Sequence, residues 1–178
     1  MQGLWLPFGI GLVGGMRSMT AIAALTWAAA LGRAPSRWIP SGPGARALST
    51  AAALGEMAGD KLPSAPDRRI PPSFAFRLAL GAAGGAALAG RGAEPRAAML
   101  AGMAGAVTGT LLGRAARGAT TRSGTDWARA LAEDALAVAL AAALLHAAGR
   151  AAPAQPSPRF LGGGPSLRDR LASDRKRE

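Results

Sequence analysis

Residues 11–20 read GLVGGMRSMT and place one arginine inside a stretch, residues 1–32, that carries no other charge. A charged side chain at the centre of a membrane-spanning helix costs about 2.5 to 3.5 kcal/mol on insertion scales. Trp5 and Trp27 lie near the two ends of this stretch. The helix between them would rise about 33 Å, close to the thickness of the bilayer hydrocarbon, and tryptophan favours both interfaces. The stretch therefore predicts a first membrane span with Arg17 near its midplane.

The composition also favours a bundle of helices in lipid. The chain has 178 residues, 25 of them glycine, and its apolar half is mostly alanine and glycine. Such small residues gain little from burial in a water-soluble core, but they allow helix backbones to approach closely in a membrane. We therefore expect an all-α, small polytopic membrane bundle formed by residues 1–150, within a single domain.

Further apolar stretches predict the remaining spans. These stretches are residues 78–90, 97–113 and 135–149, and each predicts one span. Together with the first segment they give four full spans. Residues 47–62 predict a helix of only about 24 Å, which is short for a span and is expected to be half-inserted or tilted. Proline and glycine mark residues 33–46 and 63–73 as loops.

Residues 151–178 predict a flexible, basic tail. From Arg150 to Glu178 there are seven Lys or Arg residues and three acids. Positive charge favours the cytoplasmic side, which predicts a multi-pass protein of the inner (plasma) membrane with a cytoplasmic C-terminus. The N-terminus is cytoplasmic with four spans and external if residues 47–62 also cross, and the sequence leaves this open.

Glycines four residues apart recur along most of the predicted helices. Each such pair lies on one helix face and permits close contact with a neighbouring backbone. An interior glycine costs a water-soluble helix about 1 kcal/mol relative to alanine, which again favours lipid. The glycines predicted to form helix contacts are Gly11, Gly15, Gly55, Gly59, Gly81, Gly85, Gly105, Gly109 and Gly113.

Arg17 requires an acidic partner if it is buried in lipid. Ser18 and Thr20 would add hydroxyl groups beside it, and Gly14–Gly15 could break the first helix, although a straight helix fits the residues equally well. One interpretation is a polar site for an anion or a proton, and the other is a salt bridge that only fixes helix packing. The candidate partners are Glu56, Asp60, Glu133 and Asp134, with Lys61 neutralising part of the cluster.

Other polar residues predict less. Arg77 is expected near an interface, with its guanidinium reaching the lipid headgroups. His146 is the only histidine and cysteine is absent, so we expect no metal site and no cofactor. No catalytic triad or phosphate-binding loop can be assembled, so we expect no enzymatic activity.

Five short motifs, in order, resemble a family of bacterial membrane proteins grouped as domain of unknown function 4126. The resemblance spans roughly residues 9–149, and it implies a small multi-helix integral membrane protein without assigning an activity or a substrate. The motifs that carry it are GLVGGMRSMTAIAAL at Gly11 to Leu25, EMAGDKLP at Glu56 to Pro63, Arg68 or Arg69 with Pro71, Arg77 before a helix of small residues, and EDALA at Glu133 to Ala137.

The charges motivate the functional expectation of a transporter or channel-like protein with a charged intramembrane site for an anion, a phosphate-bearing solute or a proton. Its expected partners are the lipid bilayer, a small ion or solute, and further copies of the chain. The alternative is a structural or scaffold membrane protein. A third hypothesis, a soluble protein that binds nucleic acid through its arginines, follows from the net charge of +11 and is the least favoured, so no nucleic-acid partner is expected.

Overall fold

The computed structural model describes residues 3–59, 71–89, 93–118 and 126–151, and these form six α-helices without a β-strand. The all-α prediction is therefore confirmed for this part of the chain. The helices are α1 (Trp5–Met16), α2 (Ser18–Ala30), α3 (Pro43–Gly59), α4 (Pro71–Ala87), α5 (Pro95–Gly118) and α6 (Asp126–Ala151).

Proline and glycine set several helix ends. Helices α3, α4 and α5 each begin with proline, whose fixed φ suits the first helical position and whose missing N–H would have no partner there. Helix α2 ends at Ala30, and Gly32, two residues further on, has a φ of 66°. There the N–H of Arg33 donates to the Ala28 carbonyl at 2.8 Å, and the N–H of Gly32 donates to the Ala29 carbonyl at 3.1 Å. This is a Schellman ending, which requires the left-handed backbone that glycine adopts readily.

Two groups of helices share α1. On one side α1 packs against α4 and α5, which also pack against each other. On the other side α1 and α2 pack against α6, where Ile10, Val13, Leu25 and Leu144 are buried in a shared apolar core. Helix α3 packs against α2. The first hydrophobic segment therefore lies at the centre of the described fold.

The first segment is not one continuous helix. Arg17, with φ of −142° and ψ of 103°, has an extended backbone and separates α1 from α2. The sequence left open a straight helix or a break at Gly14–Gly15, and the structure shows a break one residue after Met16. Gly14 and Gly15 themselves stay within α1.

The prediction of four full spans needs correction. In the described ranges, one helical stretch, Ala130–Arg150 within α6, is long and apolar enough to cross a membrane. The first segment fails this criterion because the break leaves helices of 12 and 13 residues, and α3 and α4 have 17 residues each. Helix α5 has 24 residues, but its apolar residues are mostly alanine and its length includes several arginines and glycines. The predicted tail lies outside the described residues.

Candidate functional site

The break at Arg17 leaves polar backbone groups without hydrogen-bond partners in their own helix at two helix ends. A helix N-terminus has N–H groups without helical partners and a partial positive charge, whereas a C-terminus has free carbonyls and a partial negative charge. Here the C-terminus of α1 and the N-terminus of α2 meet at a single residue inside the fold. Polar side chains from α3, α4, α5 and α6 reach this junction, and we call these groups with Arg17 the break site.

Glu56 of α3 caps the N-terminus of α2. The N–H of Ser18 donates to its Oε1 at 3.2 Å, and the N–H of Met19 donates to its Oε2 at 2.9 Å. A carboxylate at this position compensates both the free N–H groups and the partial positive charge of the helix end. Glu56 therefore satisfies the backbone beside Arg17 and not the guanidinium itself.

Asp134 of α6 pairs with Arg17. Its Oδ1 lies 2.5 Å from Nη2 of Arg17, and the two side chains are 9% and 2% exposed. Removing one partner of such a buried pair typically costs about 3 to 5 kcal/mol, because the other charge is then left uncompensated. The pair fixes α6 against the break.

Arg77 and Thr110 satisfy the C-terminus of α1. Nη1 of Arg77 donates to the Gly15 carbonyl, and the Thr110 hydroxyl donates to the same oxygen at 3.3 Å. Arg77 is 6% exposed, so the expectation that it reaches the headgroups is wrong. Its target is a carbonyl that only the broken helix makes available. A positive charge at this position also complements the negative end of α1.

The break site balances its charges locally. The site contains two guanidinium groups, of Arg17 and Arg77, and two carboxylates, of Glu56 and Asp134, at two helix ends of opposite polarity. This pattern of a discontinuous helix with charged groups at its ends resembles the ion and substrate sites of secondary transporters.

The remaining predicted site residues lie at different places. The Ser18 hydroxyl donates to the Gly14 carbonyl at 3.3 Å, and Thr20 is buried in the first turn of α2. Glu133 is half-buried on α6, next to Asp134. Asp60 and Lys61 lie outside the described residues.

Sequence reasoning missed the roles of Arg77 and Thr110. Arg77 carried a signal, because it is a charge close to an apolar stretch, but the stretch offered no acid to pair it with. Thr110 carried none, since its hydroxyl also donates to the Ala106 carbonyl of its own helix at 2.8 Å, as many helical threonines do.

Glycines form the contacts of α5 with α1 and α4. A Cβ added at Gly11 or Gly81 would collide with the Gly102 backbone, and one added at Gly15 would collide with backbone near Ala106. Sequence analysis did not single out Gly102. Three further glycines that GxxxG spacing predicted are also at close helix contacts. An added Cβ would collide with the backbone of Ala98 at Gly85, of Phe8 at Gly105 and of Leu12 at Gly109.

Two predicted glycines are not at contacts. A Cβ at Gly55 or Gly59 would meet no atom of the described residues within 4 Å. These two glycines therefore do not hold α3 against the described helices, which corrects the prediction for that helix. Gly113 is buried near the end of α5.

Polar contacts, rather than glycines, join α3 to α2. The hydroxyls of Thr26 and Ser49 lie 2.8 Å apart, and Nε1 of Trp27 donates to the Thr50 hydroxyl at 3.1 Å. The guanidinium of Arg46 lies 5.1 Å from the centroid of the Trp27 ring, within cation–π range. Glu56 extends this row of contacts to the break site.

No protein-family model, no curated protein and no solved structure matches this chain.

Proposed function

We propose that this chain is a small integral membrane protein of the transporter or channel-like class, in which the break site takes an anion, a phosphate-bearing solute or a proton. The observation that carries the proposal is the interruption of the first hydrophobic segment at Arg17, with charged groups from three other helices at the interruption. Discontinuous helices of this kind place backbone dipoles and charges where a transported species is bound.

Surface apolarity supports a membrane location. Leucines at positions 100, 111 and 136 are each more than half exposed on α5 and α6. Within the stretch Ala130–Arg150, only 28% of an apolar 18-residue window is buried inside the fold, so most of this helix surface is left without cover by the described residues. Lipid would cover such a surface without cost, whereas water would not.

The proposed arrangement in the bilayer follows from these features. Helices α1 and α2 would both lie within the bilayer, with Arg17 inside it at the break. We propose a multi-pass protein of the inner membrane with a cytoplasmic C-terminus, on the basis of the basic residues beyond Arg150. Association of several copies belongs to the same proposal.

Membership of the family grouped as domain of unknown function 4126 is part of this proposal. The motifs that carry the resemblance contain Arg17, Glu56, Arg77 and Asp134, which are the four charged residues of the break site. Because motifs that are far apart in the sequence meet at one place in the fold, they support the proposal that this chain and that family share the site.

The scaffold alternative is favoured by one specific observation. The charges of the break site pair with each other and with the two helix ends, so they also suffice to fix the packing of α3, α4 and α6 on the first segment. A buried ion pair of this kind can specify a structure without further chemistry.

Flux measurements test the proposal. The full chain in proteoliposomes should conduct or exchange at least one of a panel of small anions, phosphate included, or protons under an imposed pH gradient. The double substitution Arg17→Met with Asp134→Leu should abolish flux while the protein stays folded. If no member of the panel and no proton moves through the wild type, or if the double variant keeps its full flux, the scaffold alternative is preferred.

A further inference from the structure

Helices α1 and α2 form an antiparallel hairpin with the break at its tip. A Cβ added at Gly14 would lie 3.5 Å from the Cβ of Ala21, although seven residues of straight helix rise about 10.5 Å. A Cβ added at Gly84 of α4 would lie 3.2 Å from Cγ2 of Ile10 and 3.4 Å from Cδ1 of Leu25. In a straight helix those two side chains would be about 22 Å apart. The chain therefore turns back at the break, and the start of α1 lies beside the end of α2.

Helices α5 and α6 each have one end beside the open end of this hairpin. Nη1 of Arg33, which follows α2, donates to the Leu145 carbonyl in the last two turns of α6 at 3.2 Å. A Cβ added at Gly3, which precedes α1, would lie 3.6 Å from the Cβ of Ala93, which precedes α5. The start of α1, the end of α2, the start of α5 and the end of α6 therefore meet at one end of the bundle.

Three exposed tryptophans lie at this end. Trp5 begins α1, Trp27 lies in the last turn of α2, and Trp38 lies in the connection to α3. The sequence predicted Trp5 and Trp27 at the two opposite ends of one span, which is wrong because the chain turns back between them. Indole groups favour the interface between the hydrocarbon and the headgroups of a bilayer. Their common position therefore marks one interface and not two.

Arginines outnumber acids at the same end. Residues 27–46, 93–96 and 145–151 contain one acid, Glu94, and five arginines, of which three are exposed. The exposed ones are Arg37, Arg96 and Arg150, and the other two are Arg33 and Arg46. Basic residues beside interfacial aromatic residues fit the headgroups of anionic phospholipids. We call the surface formed by these five arginines and the three tryptophans the basic end.

We propose that the basic end binds anionic phospholipid headgroups, and that α1 and α2 enter and leave the bilayer at this one surface as a re-entrant hairpin. Each arm rises about 18 to 20 Å, less than the hydrocarbon thickness of about 30 Å, so Arg17 at the tip stays within the membrane. Helix ends inside a membrane must be covered by protein, and the contacts of Glu56 and Arg77 cover these two.

This inference rests on the proposed membrane location of the chain. It adds the class of lipid that is bound at one surface, and it places the start of α1 on the same side of the membrane as the end of α6. A single discontinuous span formed by α1 and α2 would place them on opposite sides.

Thermal unfolding of the full chain in mixed micelles measures the headgroup preference. Replacing phosphatidylcholine with phosphatidylglycerol should raise the melting temperature of the wild type, and high salt should weaken this rise because it screens exposed charges. The triple substitution Arg37→Gln, Arg96→Gln and Arg150→Gln should lose at least half of the rise, since it removes the exposed charges of the basic end and leaves the contacts of Arg33 and Arg46 in place.

Two single variants on α5 form the matched control. Arg96 and Arg114 are both exposed, but they lie near opposite ends of this helix. Arg96→Gln should reduce the rise, whereas Arg114→Gln should keep it. Equal reductions in the two variants, or no rise in the wild type, would overturn the inference. A larger rise with soluble polyglutamate or an oligonucleotide than with phosphatidylglycerol would overturn it in favour of a soluble polyanion.

Single cysteines test the hairpin, because the chain has none of its own. Gly3→Cys lies before α1 and Ser41→Cys after α2, both at the basic end, whereas Ala115→Cys lies near the other end of α5. A membrane-impermeant maleimide is added to intact and to permeabilised cells. The Gly3 and Ser41 variants should react under the same condition, and the Ala115 variant should differ from both. Reaction of the Gly3 and Ser41 variants from opposite sides would overturn the inference.

Failure of this inference can be told apart from failure of the proposed function. Same-side labelling with a response to phosphatidylglycerol, but without flux of any species, contradicts the proposed transport alone. Flux together with opposite-side labelling contradicts this inference alone. Recovery of the chain from the soluble fraction contradicts the membrane location and therefore both.

Discussion

Arg17 of the interrupted first segment and Asp134 of α6 form an ion pair with both side chains at least nine-tenths buried. Arg17 lies near the start of the chain and Asp134 in the last described helix, so the pair joins two segments that are far apart in the sequence. Its burial makes each partner depend on the other, because neither charge is hydrated in the fold.

Asp134→Ala should destabilise the protein by about 3 to 5 kcal/mol, since it leaves the Arg17 guanidinium buried without its carboxylate. Arg17→Met combined with Asp134→Leu should recover most of that loss, as apolar residues of similar volume often replace a buried pair at little cost. Equilibrium unfolding in mixed detergent measures both. Equal losses in the single and the double variant would show that the pair is not the source of the effect.

Arg77→Met should destabilise by about 1.5 to 3 kcal/mol, the usual range for a hydrogen bond to a charged group, because the Gly15 carbonyl loses its cationic donor. Arg77→Lys should recover part of this, since its ammonium keeps the charge beside the end of α1. The same unfolding measurement decides the matter. A headgroup anchor would tolerate both substitutions, so an unchanged stability would contradict the buried position.

Gly102→Ala and Gly55→Ala form a matched pair. At Gly102 the added methyl would collide with the Gly81 backbone, and overpacking typically costs about 1 to 3 kcal/mol. At Gly55 the methyl has open space within the described residues, so the higher helix propensity of alanine should stabilise by about 0.5 to 1 kcal/mol. Melting temperatures should therefore shift in opposite directions. If both variants lowered the melting temperature, another part of the chain or a second copy would have to pack against Gly55.

Cell fractionation should recover the full chain in the membrane fraction, and its release should require detergent rather than high salt. The physical reason is the extent of uncovered apolar surface on α5 and α6. High-salt extraction is the control, because it removes proteins held at membranes only by their basic residues. Recovery from the soluble fraction without detergent would contradict the membrane location.

The sequence predicted which residues belong near Arg17 better than it predicted their roles. A charge in an apolar segment requires an opposite charge, and that requirement alone selects a few acids, of which Glu56 and Asp134 lie at the break site. The choice between Glu133 and Asp134 depends on the rotational position of α6, since adjacent residues lie about 100° apart around a helix.

The backbone contacts at the break site could not be predicted in the same way. Arg77 and Glu56 bind a carbonyl and two N–H groups that a continuous helix would use internally. Whether those groups are available depends on the extended backbone of Arg17, and both a straight and a broken helix fitted the residues. The same uncertainty affected the first of the four predicted spans, which assumed one unbroken helix, whereas α4 fails as a span by its length and α5 by its composition.

The distance in sequence between Arg17 and Asp134 imposes an order on biosynthesis. Domains are completed from the N-terminus as the ribosome advances, so the guanidinium leaves the ribosome well before its carboxylate exists. Until then the nascent chain must keep this charge hydrated or pair it with another group. Chains stalled before α6 is synthesised should consequently be cleaved faster by added protease than full-length chains. Equal cleavage would show that the helices before α6 fold without it.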